Sequence, residues 1–397
     1  MDSWSARADT TADGPVRIVQ LNLAFDDSLA TPDALLEAYH TLSGWSRAVT
    51  RAGATVHVVQ RYSRDTRLVQ DAVTYEFVGE GNPGIPDPWT PFGRVLNAVE
   101  LARPDVVHIN GLMFPGAVAA LRERLDLRVV IVLQDHSGHV PRPWTPLRTL
   151  TGGRWKKAFG GVDAVSFTAR ELADPWHRVG LPRNATILEI PEASTDLAPD
   201  PNTPIRTDLS ASPSILWVAR LTEGKDPLTA LSAVELALPA LPRAQCTMVF
   251  QGGELEPVVL ERIRTTPGLQ NCVTPVGRVA HNALPSYYCA ADVFLSASHH
   301  EGSGYALIES MACGVTPCVT DIPAFRALVG ECGRRWPVGD ARAAANALVE
   351  ISAADRQHAR RLARARFERA LSWDVVGSMV VKAYRALSLQ RLGGTSR

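Results

Sequence analysis

Two glutamates with seven residues between them, Glu301 and Glu309, mark the stretch HHEGSGYALIESMACG (residues 299–314), where residue types and spacing best suit ligand chemistry. Gly302 and Gly304 let the loop beside Glu301 bring backbone N–H groups close to a ligand. Residues 305–313 have helical apolar spacing and end at Gly314, so the positive end of that helix would favour an anion in the loop. Residues 292–298 (DVFLSAS) read as the strand that feeds the loop. Glu309 has Leu307, Ile308 and Met311 as neighbours, and a carboxylate among apolar residues needs partners such as hydroxyl groups. A carboxylate at each end of an anion cradle suits a ligand with both phosphate and hydroxyl groups, and a sugar nucleotide has both.

Arg220 and Lys225 in ARLTEGKD add two cations. Arg220 ends an expected strand and Lys225 lies in the loop entering the next helix, so both should project beyond the same sheet edge. Two fixed cations there would neutralise a diphosphate whose charge grows as its bond to a sugar breaks. Alone, the pair is better explained as scattered charge on a solvated loop; beside the glycine loop, the ligand reading is stronger.

These loops need a sheet to hold them. Residues 16–23, 54–60, 73–79, 105–110, 128–134, 162–168 and 185–190 read as strands, separated by helical stretches such as one running from Pro32, capped by Thr31, to Gly53. Alternation of this kind means crossover units and a parallel sheet. Between Pro191 and Pro213, five prolines with many Asp, Thr and Ser residues mark a linker. The alternation restarts at residues 214–220, 246–251 and 272–277. The expected architecture is therefore α/β, with two doubly wound Rossmann-like sheets facing across a cleft, where such sheets bind ligands beyond the carboxyl ends of their strands. Residues 1–197 form the expected N-terminal, acceptor-side domain and 198–372 the nucleotide-sugar domain. Residues 373–397 hold a C-terminal helix able to pack back on the first domain.

Bulk properties narrow the class. A chain of 397 residues with 41 basic and 41 acidic side chains has room for two cores and no bias toward nucleic acid. No apolar run approaches the roughly 18 residues of a membrane span, and the N-terminus lacks a signal-peptide core, so a cytoplasmic location is expected. The six cysteines lie in the second half without a C-x-x-C pair, which argues for reduced thiols and against a disulfide framework or zinc site.

The segments ARLTEGKD, FQGGELEP, PVGRV, LPSYYCAADVFLSAS and GVTPCVTDIPAFRALVG, with the two glutamates, resemble glycosyltransferase family 4 in order and spacing, densely over residues 214–340. The resemblance implies a retaining enzyme of the GT-B fold with a glycogen synthase-like donor domain. It implies that Arg220 and Lys225 bind the donor diphosphate, that Glu309 holds the ribose, and that Glu301 contacts the donor sugar and supports its anomeric centre. Gly302, Ser303, Gly304 and Tyr305 match the segment meeting phosphates and sugar, while Gly253 in FQGGELEP and Arg278 in PVGRV fall among the donor-binding positions. His136, just past an expected strand end in LQDHSGH, matches a histidine that touches the donor sugar, with Gln134 and His139 as alternatives in register. No metal and no cofactor are implied, and the crevice carries no Asp-x-Asp motif. The implied partners are a nucleotide diphosphate sugar, UDP- or GDP-linked, and a hydroxyl acceptor: a sugar, a lipid-linked sugar or a small metabolite.

Two departures stand out. The usual glycine pair after the first strand is replaced by AFDDSLATP (residues 24–32), so the acceptor side is expected to be rebuilt. The usual asparagine-glycine turn before the linker is replaced by PEASTD (residues 191–196), which is expected to affect hinge geometry more than chemistry. The basic segment PRPWTPLRTLTGGRWKK (residues 141–157), with five cations and two tryptophans, suits peripheral contact with the inner membrane surface or an anionic acceptor; a solvated loop is the plainer reading. The arginine-rich run ARRLARARFER is expected to be a solvated helix face. Two rival functions remain: a nucleotide-sugar binding protein without transfer chemistry, and a GT-B phosphorylase or epimerase.

Overall fold

The computed structural model describes residues 14–90, 92–136, 148–199 and 212–394. His139, residues 141–147 of the basic segment and the middle of the expected linker lie outside them. The first domain runs β1 (Arg17–Asn22), α1 (Pro32–Ala38), α2 (His40–Arg51), β2 (Thr55–Tyr62), β3 (Thr66–Gln70), β4 (Val73–Gly79), α3 (Gly93–Leu101), β5 (Val106–Asn110), α4 (Pro115–Arg124), β6 (Val130–Gln134), α5 (Arg148–Phe159), β7 (Ala164–Phe167), α6 (Asp174–Val179) and β8 (Thr186–Glu189). Its eight-stranded sheet has the order β3-β4-β2-β1-β5-β6-β7-β8. The ladders are parallel except for β3 against β4.

The second domain runs β9 (Ser214–Ala219), α7 (Pro227–Ala237), β10 (Gln245–Phe250), α8 (Glu256–Thr265), α9 (Pro267–Cys272), β11 (Val273–Gly277), α10 (Leu284–Ala290), β12 (Val293–Ser296), α11 (Tyr305–Ala312), β13 (Thr316–Thr320), α12 (Pro323–Val329), β14 (Arg334–Trp336), α13 (Ala341–Ala353) and α14 (Arg356–Ala370). Its six strands are parallel in the order β11-β10-β9-β12-β13-β14. Both sheets are covered on two faces, so their central strands are near-continuous apolar runs, such as Ile131, Val132 and Leu133, all buried. The two-sheet, doubly wound α/β architecture expected from the alternation is present.

The structure departs from the periodicity in three places. The single helix expected from Pro32 to Gly53 is two, because Tyr39 leaves helical geometry at φ −102° and ψ 53° without a Gly or Pro to announce it. The antiparallel strand β3 is half exposed and polar, and its turn to β4 places Asp71 and Ala72 at φ 53° and 60°. Asn-Gly would normally signal such a turn, so nothing in the sequence marks the hairpin. The basic segment, in its described part, is helix α5 and not a loop: Trp155 packs on Trp89 and Phe159, and the Arg154 guanidinium sits 4.1 Å above the Trp89 ring. That use of Trp155 inside the domain withdraws one of the two tryptophans from any membrane contact.

Arginines expected on a solvated face of α14 instead close helix ends. Arg364 reaches the carbonyl of Ala312 at the end of α11, and Arg366 reaches those of Ala327 and Leu328 near the end of α12. Guanidinium groups satisfy carbonyls that a helix C-terminus leaves without partners and complement its negative end. The chain then crosses to the first domain as α15 (Trp373–Gly394), burying Trp373, Val376, Val380, Tyr384 and Leu387 against Trp45 and Val49.

Helix α15 approaches α2 closely because both carry glycine at the crossing. A Cβ on Gly377 would lie 2.4 Å from the Ala48 carbonyl oxygen, and one on Gly44 would lie 2.6 Å from the Trp373 ring. Gly377→Ala is therefore expected to destabilise the protein by about 1–3 kcal/mol through overpacking, despite the better helix propensity of alanine. Urea unfolding measures this, and an unchanged or raised stability would show that the helices are not held this close.

Candidate functional site

Sheet order reverses in the second domain between β9 and β12, the switch point where doubly wound folds leave a crevice for ligands. The loop after β9 carries Arg220 and Lys225, and the loop after β12 carries Glu301 to Gly304, so both chemical loops border that crevice. They are knitted together. Lys225 Nζ bonds Glu301 Oε1, the same oxygen accepts from Ser298 Oγ at 2.8 Å, and His299 Nε2 lies 2.9 Å from Asp226 Oδ2. Asp226 also caps α7 by accepting from the Thr229 N–H at 3.1 Å.

Arg220 is exposed at the end of β9. Its charge helps hold the Glu254 carboxylate below the ordinary range, behind the larger contributions of the backbone N–H groups of Glu223 and Glu254. Gly253 has a backbone reason for its identity: at φ 141° its Cβ would stand 2.2 Å from the Leu221 carbonyl oxygen, so the loops after β9 and β10 press together there. Arg278 is exposed in the loop after β11. Gly302, Ser303 and Gly304 are buried, and Gly304 at φ 67° leads into α11, whose first turn has no side-chain cap. Uncapped N–H groups at that end are open to an anion.

Glu309 is 5% exposed, and both carboxylate oxygens have donors. Oε1 pairs with His281 Nε2 at 3.0 Å and Oε2 accepts from the Tyr288 hydroxyl at 2.8 Å. Burial and the adjacent carboxylate raise the Tyr288 phenol well above its usual range. The His281 ring stacks on His40, the first residue of α2, with centroids 4.1 Å apart, so the break at Tyr39 brings the first domain onto the Glu309 cluster. His40 Nε2 is buried without a hydrogen-bond partner. Among the described residues, His40, His281 and Glu309 are the group with metal-ligand composition, their donor atoms lying within 4.8 Å of one another. An ion such as zinc there would compete with hydroxyl ligands for Glu309.

His136 follows β6, and its Nδ1 bonds Glu192 Oε1. Glu192 also accepts from Tyr305 at 2.7 Å on Oε1 and from Ser303 on Oε2, while Ser303 Oγ lies 3.2 Å from the His136 carbonyl oxygen. Three expected site residues from two domains thus converge on a glutamate that the sequence reading passed over. Gln134, the alternative to His136, is buried in β6 at the ladder with Asn110 and Ser166.

The glycine-free segment after β1 is held by β2. Buried Arg61 donates to the carbonyls of Leu23, Asn82 and Gly84 and lies 4.6 Å over the Phe25 ring, while the Tyr62 hydroxyl donates to Leu29 O at 2.5 Å. An arginine bound only to carbonyls and an aromatic face acts as a brace, and its desolvation lowers its pKa.

The histidine stack sets a pH window. The Glu309 hydrogen bond raises the His281 pKa above the ordinary imidazole value, so that pairing is complete below the unfolded pKa and fades as pH rises through the folded one. Burial, then the charge of His281, lowers His40 against smaller opposing effects of Glu309 and Asp196, so acidification below the ordinary value opposes the stack. Because His281 and Glu309 belong to the same domain, the inter-domain contact responds through His40, and closure of the domains should loosen as pH falls below the ordinary imidazole value. X-ray scattering across about pH 5 to 9 measures it; a constant radius of gyration would contradict it.

Family models cover both domains: "Glycosyltransferase Family 4" matches residues 41–189 and "Glycosyl transferases group 1" matches residues 212–354. A phosphatidyl-myo-inositol mannosyltransferase of Mycolicibacterium smegmatis is 30% identical over 55% of this chain and 56% of its own length. A GDP-mannose:cellobiosyl-diphosphopolyprenol alpha-mannosyltransferase of Xanthomonas oryzae pv. oryzae is 25% identical over 60% of this chain and 61% of its own. The chain thus spans about three-fifths of the length of these curated relatives. Among solved structures, a sucrose-phosphate synthase from Thermosynechococcus elongatus superposes with TM-score 0.71 at 20% identity, covering 94% of this chain and 100% of that one, which identifies the fold as GT-B. With one model on each Rossmann-like domain and that fold across both, the chain belongs to the group 1 and family 4 glycosyltransferases.

Proposed function

We propose that the protein transfers a sugar, with retention, from a nucleotide diphosphate sugar to a hydroxyl acceptor. The observation that carries this reading is the pair of loops at the β9/β12 switch point, with Lys225 on Glu301 and uncapped N–H groups of α11 alongside. In this reading the diphosphate lies on Arg220, Lys225 and the α11 terminus, and the ribose hydroxyls take the His281 side of Glu309. The bond from the anomeric carbon to the diphosphate oxygen breaks as the bond to the acceptor oxygen forms on the same face. The acceptor proton passes to the departing diphosphate, whose charge the cations and helix end stabilise. Glu301, engaged by Lys225 and Ser298, acts as a stabiliser of the anomeric centre and not as a nucleophile.

The named activities of the relatives make GDP-mannose the first donor to test, and polyprenol-linked sugars or inositol lipids the first acceptors. Among the described residues no helix is long and apolar enough to cross a membrane, so a lipid acceptor would be met at its headgroup. A second reading, donor binding without transfer, is favoured by the Arg61-braced segment in place of the glycine pair. Release of nucleoside diphosphate from GDP-mannose on adding an acceptor separates the two.

Glu309→Ala is expected to weaken GDP-mannose binding roughly tenfold to a hundredfold, the scale of hydrogen bonds to a charged group. The combined Arg220→Ala, Lys225→Ala protein should fold normally, judged by circular dichroism, and lose at least about 10²-fold in turnover. Full turnover in that protein would remove the diphosphate assignment.

A further inference from the structure

Glu192 stands where the sequence comparison placed a departure of hinge geometry, and the structure gives it chemistry. Residues 192–195 are buried, not exposed as a linker would be, and Ala193 packs in the second domain's core with Leu216, Phe294 and Leu307. The Glu192 carboxylate is 5% exposed between the domains. A buried carboxylate is tolerated only with partners, and this one has three: His136 from the first domain, and Ser303 and Tyr305 from the second. The partners are 56, 111 and 113 residues away in sequence.

We propose that Glu192 is a positioning residue that couples His136 to the donor loop, its single carboxylate orienting the imidazole through Nδ1 while tying down Ser303 and Tyr305. This rests on the transfer reading for its catalytic consequence, but the dyad itself does not. With Nδ1–H directed to Glu192, the ring's Nε2 is left for the donor sugar, and the His136 side chain is still 37% exposed. Docking of residues 303–305 and orientation of the histidine become one event, because the same carboxylate serves both. Among the described residues, the titratable groups that act on this pair are Asp135 and His108 near His136, and Tyr305 on the other side. Desolvation works against a charged His136, and Glu192, helped by Asp135, outweighs it and raises the imidazole pKa. His108 is pushed down to about 3 by burial, so it stays neutral and does not compete.

The test is an NMR titration of ¹⁵N-histidine-labelled full-length protein, with His136 assigned by its loss in His136→Gln. In Glu192→Gln, of nearly equal size and without the charge, the His136 midpoint should fall by about one pH unit or more, a tenfold loss of proton affinity. Turnover of GDP-mannose should fall roughly 10- to 100-fold, the scale for residues that orient a ligand-contacting imidazole, and Glu192→Gln should cost clearly less in a His136→Gln background, where only its hold on Ser303 and Tyr305 is left to lose. An unmoved His136 midpoint, or effects of the two substitutions that simply multiply, would overturn the proposal. Should Glu192→Gln fold poorly, Glu192→Asp, which keeps the charge but draws it back by one methylene, should still lower the His136 midpoint, by less. If wild type turns over neither GDP- nor UDP-linked sugars with any acceptor while the His136 midpoint still responds to Glu192, the transfer reading fails and the dyad stands.

Discussion

A carboxylate out of water must find hydrogen-bond donors, and two such groups organise this protein. Glu309 is closed by His281 and Tyr288, Glu192 by His136, Ser303 and Tyr305. Desolvation makes either group costly alone and strongly orienting once paired. Each also reaches the opposite domain, Glu192 directly and Glu309 through the His281 stack on His40. The same hydrogen bonds that make burial tolerable therefore set how the domains meet.

The remaining architecture serves to present those groups. The strand-order reversal at β9 and β12 puts the Lys225 and Glu301 loops side by side, and arginines of α14 tie down the ends of α11 and α12 behind them. Helix α15 returns to the first domain and packs on α2, the helix that begins with His40. Arg61 fixes the glycine-free segment after β1 through the carbonyls of Leu23, Asn82 and Gly84.

Much of this was legible in the sequence. Parallel strands betray themselves as apolar runs, and the residues of the second domain's loops lie within a few positions of their strand ends, so ARLTEGKD and HHEGSG could be placed by reading along the chain. What escaped depends on distance or on local exceptions. Glu192 has no neighbour in sequence that suggests burial, and its partners lie in other strands' loops. Tyr39 breaks a helix with no Gly or Pro, and Ala72 holds a positive φ that glycine or asparagine would have advertised. The arginines of α14 looked solvated because their acceptors are carbonyl groups, which no side-chain pattern reveals.

The central claim is that the β9/β12 crevice holds a nucleoside diphosphate by its ribose through Glu309. Calorimetric comparison of GDP and UDP with their 2′,3′-dideoxy analogues tests it most directly, without requiring the acceptor. The account predicts that whichever nucleotide binds loses about tenfold or more in affinity on losing its ribose hydroxyls, and that this difference vanishes in Glu309→Ala. Equal affinity of the ribo and dideoxy forms for the native protein would contradict it.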